Sequence, residues 1–226
     1  MSRGLGDVYK RQVQDVIRME EVESERPVEH RFYQVLALSD NRFLGFGNHF
    51  GNRIQIFNQS KVLATYSDFP VLDEKEENNR SLWGNLASFG VSPDEKHIVI
   101  TTGIGAAFEI LSLSGEKISH KLVKGFYAPK YSIAQGAVPV CVIVCPETVV
   151  GFNALHVADD CFYAVLAGPE ERYNEILKFD FDGECVHRYC LPTDIVNIHC
   201  MTVDKGWLWA FVENKDGEIK LIKAGI

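Results

Sequence analysis

The chain has 226 residues, of which 46% are hydrophobic and 24% charged, and its formal net charge is −8. A chain of this length buries a substantial core, either as one all-β domain or as two small domains. The acidic balance argues against a broad nucleic-acid footprint. No apolar run approaches the roughly 20 residues that a membrane helix needs. We therefore expect no nucleic-acid partner and no transmembrane segment in this chain.

The first residues differ from everything that follows, because residues 2–12 have no apolar period and match no later unit. They resemble the in-frame translation of an adapter used in sequencing libraries; a disordered basic N-terminus is the alternative. We expect residues 1–12 to be non-native and residues 13–226 to form a partial domain. Any export signal, lipid anchor or leading unit would then have preceded Val13.

Four units of one design follow, each a series of short β-branched and aromatic runs separated by turn residues. In the second unit the predicted strands are 85–91, 97–102, 108–113 and 117–122. The last unit stops after three predicted strands. The four predicted units span residues 30–67, 83–123, 148–191 and 195–226.

An acidic residue marks the first turn of every unit. These residues are separated by 54, 66 and 44 positions along the chain, and they are Asp40, Asp94, Asp160 and Asp204. Propeller blades repeat at about 40–50 residues, and the longest spacing includes a proline-containing insertion at residues 125–148. The sequence therefore predicts an all-β protein, a β-propeller of about four blades. A β-sandwich is the alternative.

Small residues in the first strand of each unit favour the propeller, because blades crowd together around a central channel. They are Ala37, Ala87, Gly90 and Ala154. We expect an open arc of four-stranded antiparallel sheets rather than a closed ring.

Three stretches carry a family resemblance: residues 89–99 (Phe-Gly-Val-Ser-Pro-Asp-Glu-Lys-His-Ile-Val), residues 175–183 and residues 198–210. The chain from Arg31 to its end resembles the TolB-like six-bladed β-propellers of the bacterial cell envelope. The resemblance implies a six-bladed ring, of which about two blades would precede this chain. It also implies a periplasmic or cell-surface location and, for most members, no known activity.

Candidate ligand-binding residues come from the repeat register. Asn153 and Asn197 each stand seven residues before the acidic turn residue of their unit, where first strands approach the channel. Two histidines lie near them, and two further residues stand at the entry to the second unit. The predicted ligand-binding residues are Trp83, Asn85, Asn153, His156, Asn197 and His199. The alternative is that these side chains satisfy backbone groups between blades.

No catalytic residue and no metal ligand is predicted. The motif Cys185-x-His187-x-x-Cys190 places its last cysteine on the opposite face of a strand, which disfavours zinc. Asp180-x-Asp182-Gly lacks the later oxygen ligands of a calcium loop and indicates a hairpin turn instead. The six cysteines are interpreted mainly as buried small hydrophobes, with one disulfide left open.

The sequence thus predicts a non-catalytic binding or scaffold propeller, with a protein or a small polar ligand at the channel rim and no cofactor. The alternative is a propeller enzyme, similar to a lactonase or a lyase. It would act on a polar small molecule with a metal such as Ca²⁺ in the central channel.

Overall fold

The computed structural model describes residues 32, 34–49, 52–59, 61–66, 87–114, 117–122, 131–133, 142–144, 150–167 and 174–226. Every regular element in these ranges is a β-strand, and all strand pairs are antiparallel. No helix in them is long and apolar enough to cross a membrane. The predicted non-native segment at residues 1–12 lies outside the described residues.

Seventeen strands are described, and each pairs with its neighbour in the chain to form a meander or a hairpin. Sheet 1 contains β1 (Gln34–Ala37), β2 (Arg42–His49), β3 (Asn52–Asn58) and β4 (Val62–Tyr66). Sheet 2 contains β5 (Ala87–Val91), β6 (His97–Thr102), β7 (Ala107–Ser112) and β8 (Lys117–Leu122). A two-stranded hairpin contains β9 (Tyr131–Ile133) and β10 (Val142–Val144). Sheet 3 contains β11 (Phe152–Val157), β12 (Cys161–Leu166), β13 (Glu175–Asp180) and β14 (Cys185–Cys190). Sheet 4 contains β15 (Ile195–Asp204), β16 (Trp207–Asn214) and β17 (Ile219–Gly225).

The predicted fold class is confirmed. The described sheets are antiparallel, follow chain order, and do not close into a ring. One of them lies in each of the four predicted units. The β9–β10 hairpin lies in the predicted insertion at residues 125–148. β9 has three residues, too few for an alternating pattern to be visible in sequence.

The sheets stack face to face because their central strands are apolar on both sides. In β6, Ile98 and Ile100 belong to the core shared with sheet 1, whereas Val99 belongs to the core shared with sheet 3. In β12, Phe162 and Ala164 face sheet 2, and Tyr163 and Val165 face sheet 4. Successive residues of a strand point to opposite faces, so a continuous apolar run demands a neighbour on each side.

Three apolar cores result, one between each pair of successive sheets. The first two cores contain packed aromatic rings. The ring centroids of Phe46 and Phe89 are 4.9 Å apart, and those of Phe108 and Phe162 are 5.2 Å apart. The third surrounds Ile198 and contains one buried ring, that of Tyr163. Each fully buried large apolar side chain stabilises the fold by about 1.5–3 kcal/mol.

Polar contacts join the rims of sheets 1 and 2. Glu95 accepts hydrogen bonds from the Ser39 backbone N–H and from Arg42 Nη2, the latter at 2.7 Å. The Ser39 N–H, ahead of the Arg42 guanidinium, lowers the pKa of the Glu95 carboxyl. Tyr66 donates its hydroxyl proton to the Leu113 carbonyl at 2.5 Å. Ion pairs this exposed are worth about 0–1 kcal/mol each, so the cores outweigh them.

The backbones of sheets 2 and 3 come into direct contact at Gly151. Its N–H donates to the Gly103 carbonyl at 2.9 Å, and Ile104 and Val150 form a bridge beside it. A Cβ at position 151 would lie 2.2 Å from the Gly105 carbonyl oxygen and 2.6 Å from that of Thr102. Both obstacles are backbone atoms, so only glycine fits here.

The predicted crowding of small first-strand residues holds at two of the positions that the structure shows. A Cβ on Gly90 would lie 2.7 Å from Val157 Cγ2, and Ala154 is buried. Ala37 is exposed, and there the prediction was wrong. The first strand of sheet 1 has a described sheet on one side, whereas those of sheets 2 and 3 lie between two.

Replacing Gly151 tests the close approach. We expect Gly151→Ala to lower the free energy of unfolding by about 3 kcal/mol or more, because the added methyl group overlaps two backbone carbonyls. Chemical denaturation of the full chain measures the change. The matched control is Gly225→Ala, where the nearest atom is Trp207 Cζ3 at 3.9 Å; it should change stability by less than about 0.5 kcal/mol. Equal effects of the two substitutions would contradict the packing described.

Candidate functional site

Two of the predicted site residues meet at the junction of β11 and β15, the first strands of sheets 3 and 4. Asn153 Nδ2 donates a hydrogen bond to Asn197 Oδ1 at 3.0 Å and to the Ile198 carbonyl at 2.8 Å. The shared register position therefore brings the two amides into contact. One of these bonds satisfies a backbone carbonyl between sheets, as the alternative interpretation expects; the ligand-binding role stays a prediction.

β-Bulges aim these side chains at the junction. The β11–β12 register shifts between Phe152 and Leu155, around Asn153. The β15–β16 register shifts twice, before Asn197 and again between Ile198 and Cys200. By contrast, β1 and β5 pair with their second strands without any shift. A bulge interrupts the ladder and turns a side chain out of the regular alternation, so these two strands depart from the regular pattern where their polar residues lie.

The network continues from Asn197 to a histidine and a carboxylate. Asn197 Nδ2 lies 3.4 Å from His199 Nδ1, and His199 Nε2 lies 3.2 Å from Glu213 Oε2. The consistent proton arrangement has Nδ1 accepting from the amide and Nε2–H donating to the carboxylate. Four side chains thus form one polar network, which we call the junction network: Asn153, Asn197, His199 and Glu213.

Glu213 was not found from the sequence. It lies on β16 directly opposite Asn197 in the β15–β16 pairing. The predicted hairpin could have indicated this pairing, because counting residues back from the tight Lys205–Gly206 turn places Asn197 and Glu213 near each other. The two bulges alter that count, and a sequence pattern does not reveal where they fall.

His156 lies on the buried side of the same junction. Burial lowers the pKa of its imidazole, and a backbone hydrogen bond with Val203 partly opposes this shift. The ring centroid of Tyr163 is 6.2 Å away. His156 is therefore partly buried and bonds to the backbone of sheet 4, and its ligand-binding role stays a prediction.

The other two predicted site residues, Trp83 and Asn85, lie outside the described residues. Within the described ranges no group of three or more His, Cys, Asp or Glu side chains is arranged to hold a metal ion.

The interpretation of the cysteines as buried residues was wrong for three of the four that are described. Cys161 is buried, whereas Cys185, Cys190 and Cys200 are exposed, and all four are free thiols. β14 is the outer edge strand of its sheet, and Cys200 lies on the outer face of sheet 4, so neither position is covered by a described sheet.

Comparison with known families and structures gives one family match. A family model described as TolB-like 6-blade propeller-like matches residues 9–205. No curated protein sequence matches the chain.

Solved propellers of very low identity also match. The WD40 β-propeller domain of Doa1 is 11% identical with a TM-score of 0.42, and the match covers 84% of this chain and 52% of that one. The N-terminal domain of Nup159 is 11% identical with a TM-score of 0.40 and coverages of 84% and 42%. BamB from Moraxella catarrhalis is 12% identical with a TM-score of 0.36 and coverages of 83% and 57%. The chain spans about half the length of these structures.

Acidification tests the burial of His156. Its pKa in the folded state is lowered from the ordinary value of 6.5, so protonation favours the unfolded chain. The contribution of the neutral His156 imidazole to the free energy of unfolding is fully present above about pH 6.5. It is lost as the pH falls through the folded-state pKa of His156. We expect His156→Gln to flatten the fall in unfolding free energy between about pH 7 and pH 5. Urea titrations at several pH values measure this, with the exposed His187→Gln as control. An unchanged slope in His156→Gln would show that the imidazole is not buried as described.

Proposed function

The chain belongs to the TolB-like six-bladed propeller family, and we propose that it is a non-catalytic binding propeller whose ligand or partner contacts the rim where β11 and β15 meet. The observation that carries the proposal is the junction network. It spans two sheets, and bulges in both strands direct its amides to one place. Asn153 and His199 are exposed there, so the network presents polar groups to solvent.

The hydrogen bonding favours binding over catalysis. A histidine acts as a general base through a free imidazole nitrogen close to the proton it removes. In His199 one nitrogen faces the Asn197 amide and the other faces the Glu213 carboxylate. Both nitrogens are therefore engaged in holding the network together. Fixed amides and an oriented imidazole suit recognition of a polar group, either on a small molecule or on a protein surface.

The proposal includes a bacterial cell-envelope location, periplasmic or at the cell surface. Family membership supports it, because TolB-like propellers are associated with that compartment. The exposed thiols of Cys185, Cys190 and Cys200 offer a check, because an oxidising compartment would favour their modification or pairing.

A thermal-shift screen of the full chain tests the proposal. We expect polar small molecules such as sugars, dicarboxylates and amino acids to include compounds that raise the melting temperature of the wild type. Asn197→Leu should lose these shifts, because the junction network is broken. Thr202→Ala, on the same strand but with an exposed side chain outside the network, should keep them.

The same screen with Ca²⁺, Mg²⁺ and Zn²⁺ separates binding from metal-dependent catalysis. The binding proposal expects no shift that depends on the junction amides. Stabilisation by calcium that disappears in Asn153→Ala and Asn197→Ala would contradict it and favour a metal-dependent propeller enzyme.

A further inference from the structure

The hydrogen bonds of the junction network fix the orientation of its first amide. The Ile198 carbonyl can only accept a hydrogen bond, so the Asn153 atom that lies 2.8 Å from it is the amide nitrogen. The same nitrogen donates its second hydrogen to Asn197 Oδ1 at 3.0 Å. Both N–H groups of Asn153 are therefore used within the network, and its Oδ1 is held in place as an acceptor.

This orientation determines the proton positions in the rest of the network. Asn197 Oδ1 accepts from Asn153, so Asn197 presents its nitrogen to His199 Nδ1, 3.4 Å away. Nδ1 then acts as the acceptor, which leaves the imidazole proton on Nε2. His199 Nε2 lies 3.2 Å from Glu213 Oε2. The imidazole is neutral in this arrangement, so the network retains the full negative charge of the Glu213 carboxylate.

The groups of the network that remain without a partner are mainly acceptors. In the described part of the chain, Asn153 Oδ1 and Glu213 Oε1 have no hydrogen-bond partner, and one N–H of Asn197 is the remaining donor. Glu213 lies opposite Asn197 in the β15–β16 pairing, and Asn153 contacts Asn197 from β11. Asn153 is exposed and Glu213 is partly exposed. Two accessible acceptors, one of them charged, therefore lie beside Asn197.

We propose, on the basis of the binding function proposed for this junction, that its ligand is an organic cation with several N–H donors. An ammonium or a guanidinium group has this chemistry. A cationic nitrogen pairs with Glu213 in a charge-assisted hydrogen bond, and a second N–H of the ligand bonds to Asn153 Oδ1. The group belongs either to a free amine or to a lysine or arginine side chain of a protein.

Anions and metal ions suit these groups less well. A carboxylate or phosphate would meet the like charge of Glu213 and would find one free N–H, that of Asn197. Ca²⁺ takes about 6–8 oxygen ligands, whereas the network offers two unpartnered acceptor groups. The formal net charge of the chain, −8, also attracts cations rather than anions.

Titration of the full chain with a matched pair of cations tests the assignment. The probe is n-butylguanidinium, and the control is n-butyltrimethylammonium, which has the same charge and no N–H donor. The titrations are done in low salt at about pH 8, where histidine is neutral. NMR signals of the Asn153 and Asn197 side-chain amides report binding at the junction. Butylguanidinium should shift these signals saturably, and the control should bind at least about fivefold more weakly.

A peptide identifies the source of the cation. The probe is Gly-Arg-Gly with an acetylated N-terminus and an amidated C-terminus, so that the guanidinium is its only charge. Tighter binding of this peptide than of butylguanidinium would support the assignment with a protein side chain as the source. Weaker or equal binding of the peptide would support it with a free amine as the source.

Glu213→Gln isolates the contribution of the carboxylate charge. Glutamine has the same shape, and its oxygen can still face His199, so we expect the fold to be retained. The affinity for butylguanidinium should fall about fivefold or more, because the charge-assisted hydrogen bond is lost. The matched control is Glu218→Gln, which removes an exposed carboxylate that pairs with Lys220 and should leave the affinity unchanged.

The outcomes separate this assignment from the proposed function. Absence of butylguanidinium binding, equal binding of the two cations, or equal binding to wild type and Glu213→Gln would each overturn the assignment. Binding of glucose or succinate that is lost in Asn197→Leu would also overturn it and would leave the binding function in place. If no compound of any charge gave a shift that depends on Asn197, the binding function itself would be contradicted.

Discussion

The rest of the structure depends on one constraint, which is that the inner strands of sheets 2 and 3 are apolar on both faces. A run such as Ile98-Val-Ile100 cannot leave either side in water, so each of these two sheets needs a neighbour on both sides. Stacking in series meets this demand with one core per interface. Burying one large apolar side chain stabilises the fold by about 1.5–3 kcal/mol, which is more than one ion pair at the rim contributes. Apolar packing between the sheets therefore determines their serial arrangement, and the polar contacts at the rims contribute less to it.

The junction network is a consequence of that stacking. Because sheets 3 and 4 share a core around Ile198, their first strands lie side by side, and Asn153 reaches across to Asn197. Bulges in both strands break the regular ladder at this point. Breaking a ladder costs hydrogen bonds, so it persists only where the surrounding packing holds it. This places an oriented polar group on a rigid support, which is what a recognition site needs.

Much of the fold was predictable from the sequence, because β-strands and turns leave local signals. Strands at residues 97–102 and 117–122 have the predicted bounds, since each is a run with β-branched residues between turn residues. The meeting of Asn153 and Asn197 followed from the repeat register alone. Their equivalence needs no knowledge of side-chain contacts, only that blades repeat.

The features that could not be predicted from the sequence depend on how strands and sheets pair, and not on the residue pattern within one strand. Glu213 joins the junction network because of a hairpin register that two bulges modify. The exposure of Cys200 depends on whether another sheet covers the outer face of sheet 4. Neither feature has a signature within a single strand.

The order in which backbone amides exchange with deuterium tests the stacked arrangement most directly. Native-state hydrogen exchange followed by NMR reports the opening free energy of each amide. We expect the amides of β6 and β12, which are covered on both faces, to exchange slowest. Along β17, amides of Lys220, Ile222 and Ala224 should be protected by their bonds to β16. Faster exchange in β6 or β12 than in β14, the outer strand of sheet 3, would contradict the serial stack.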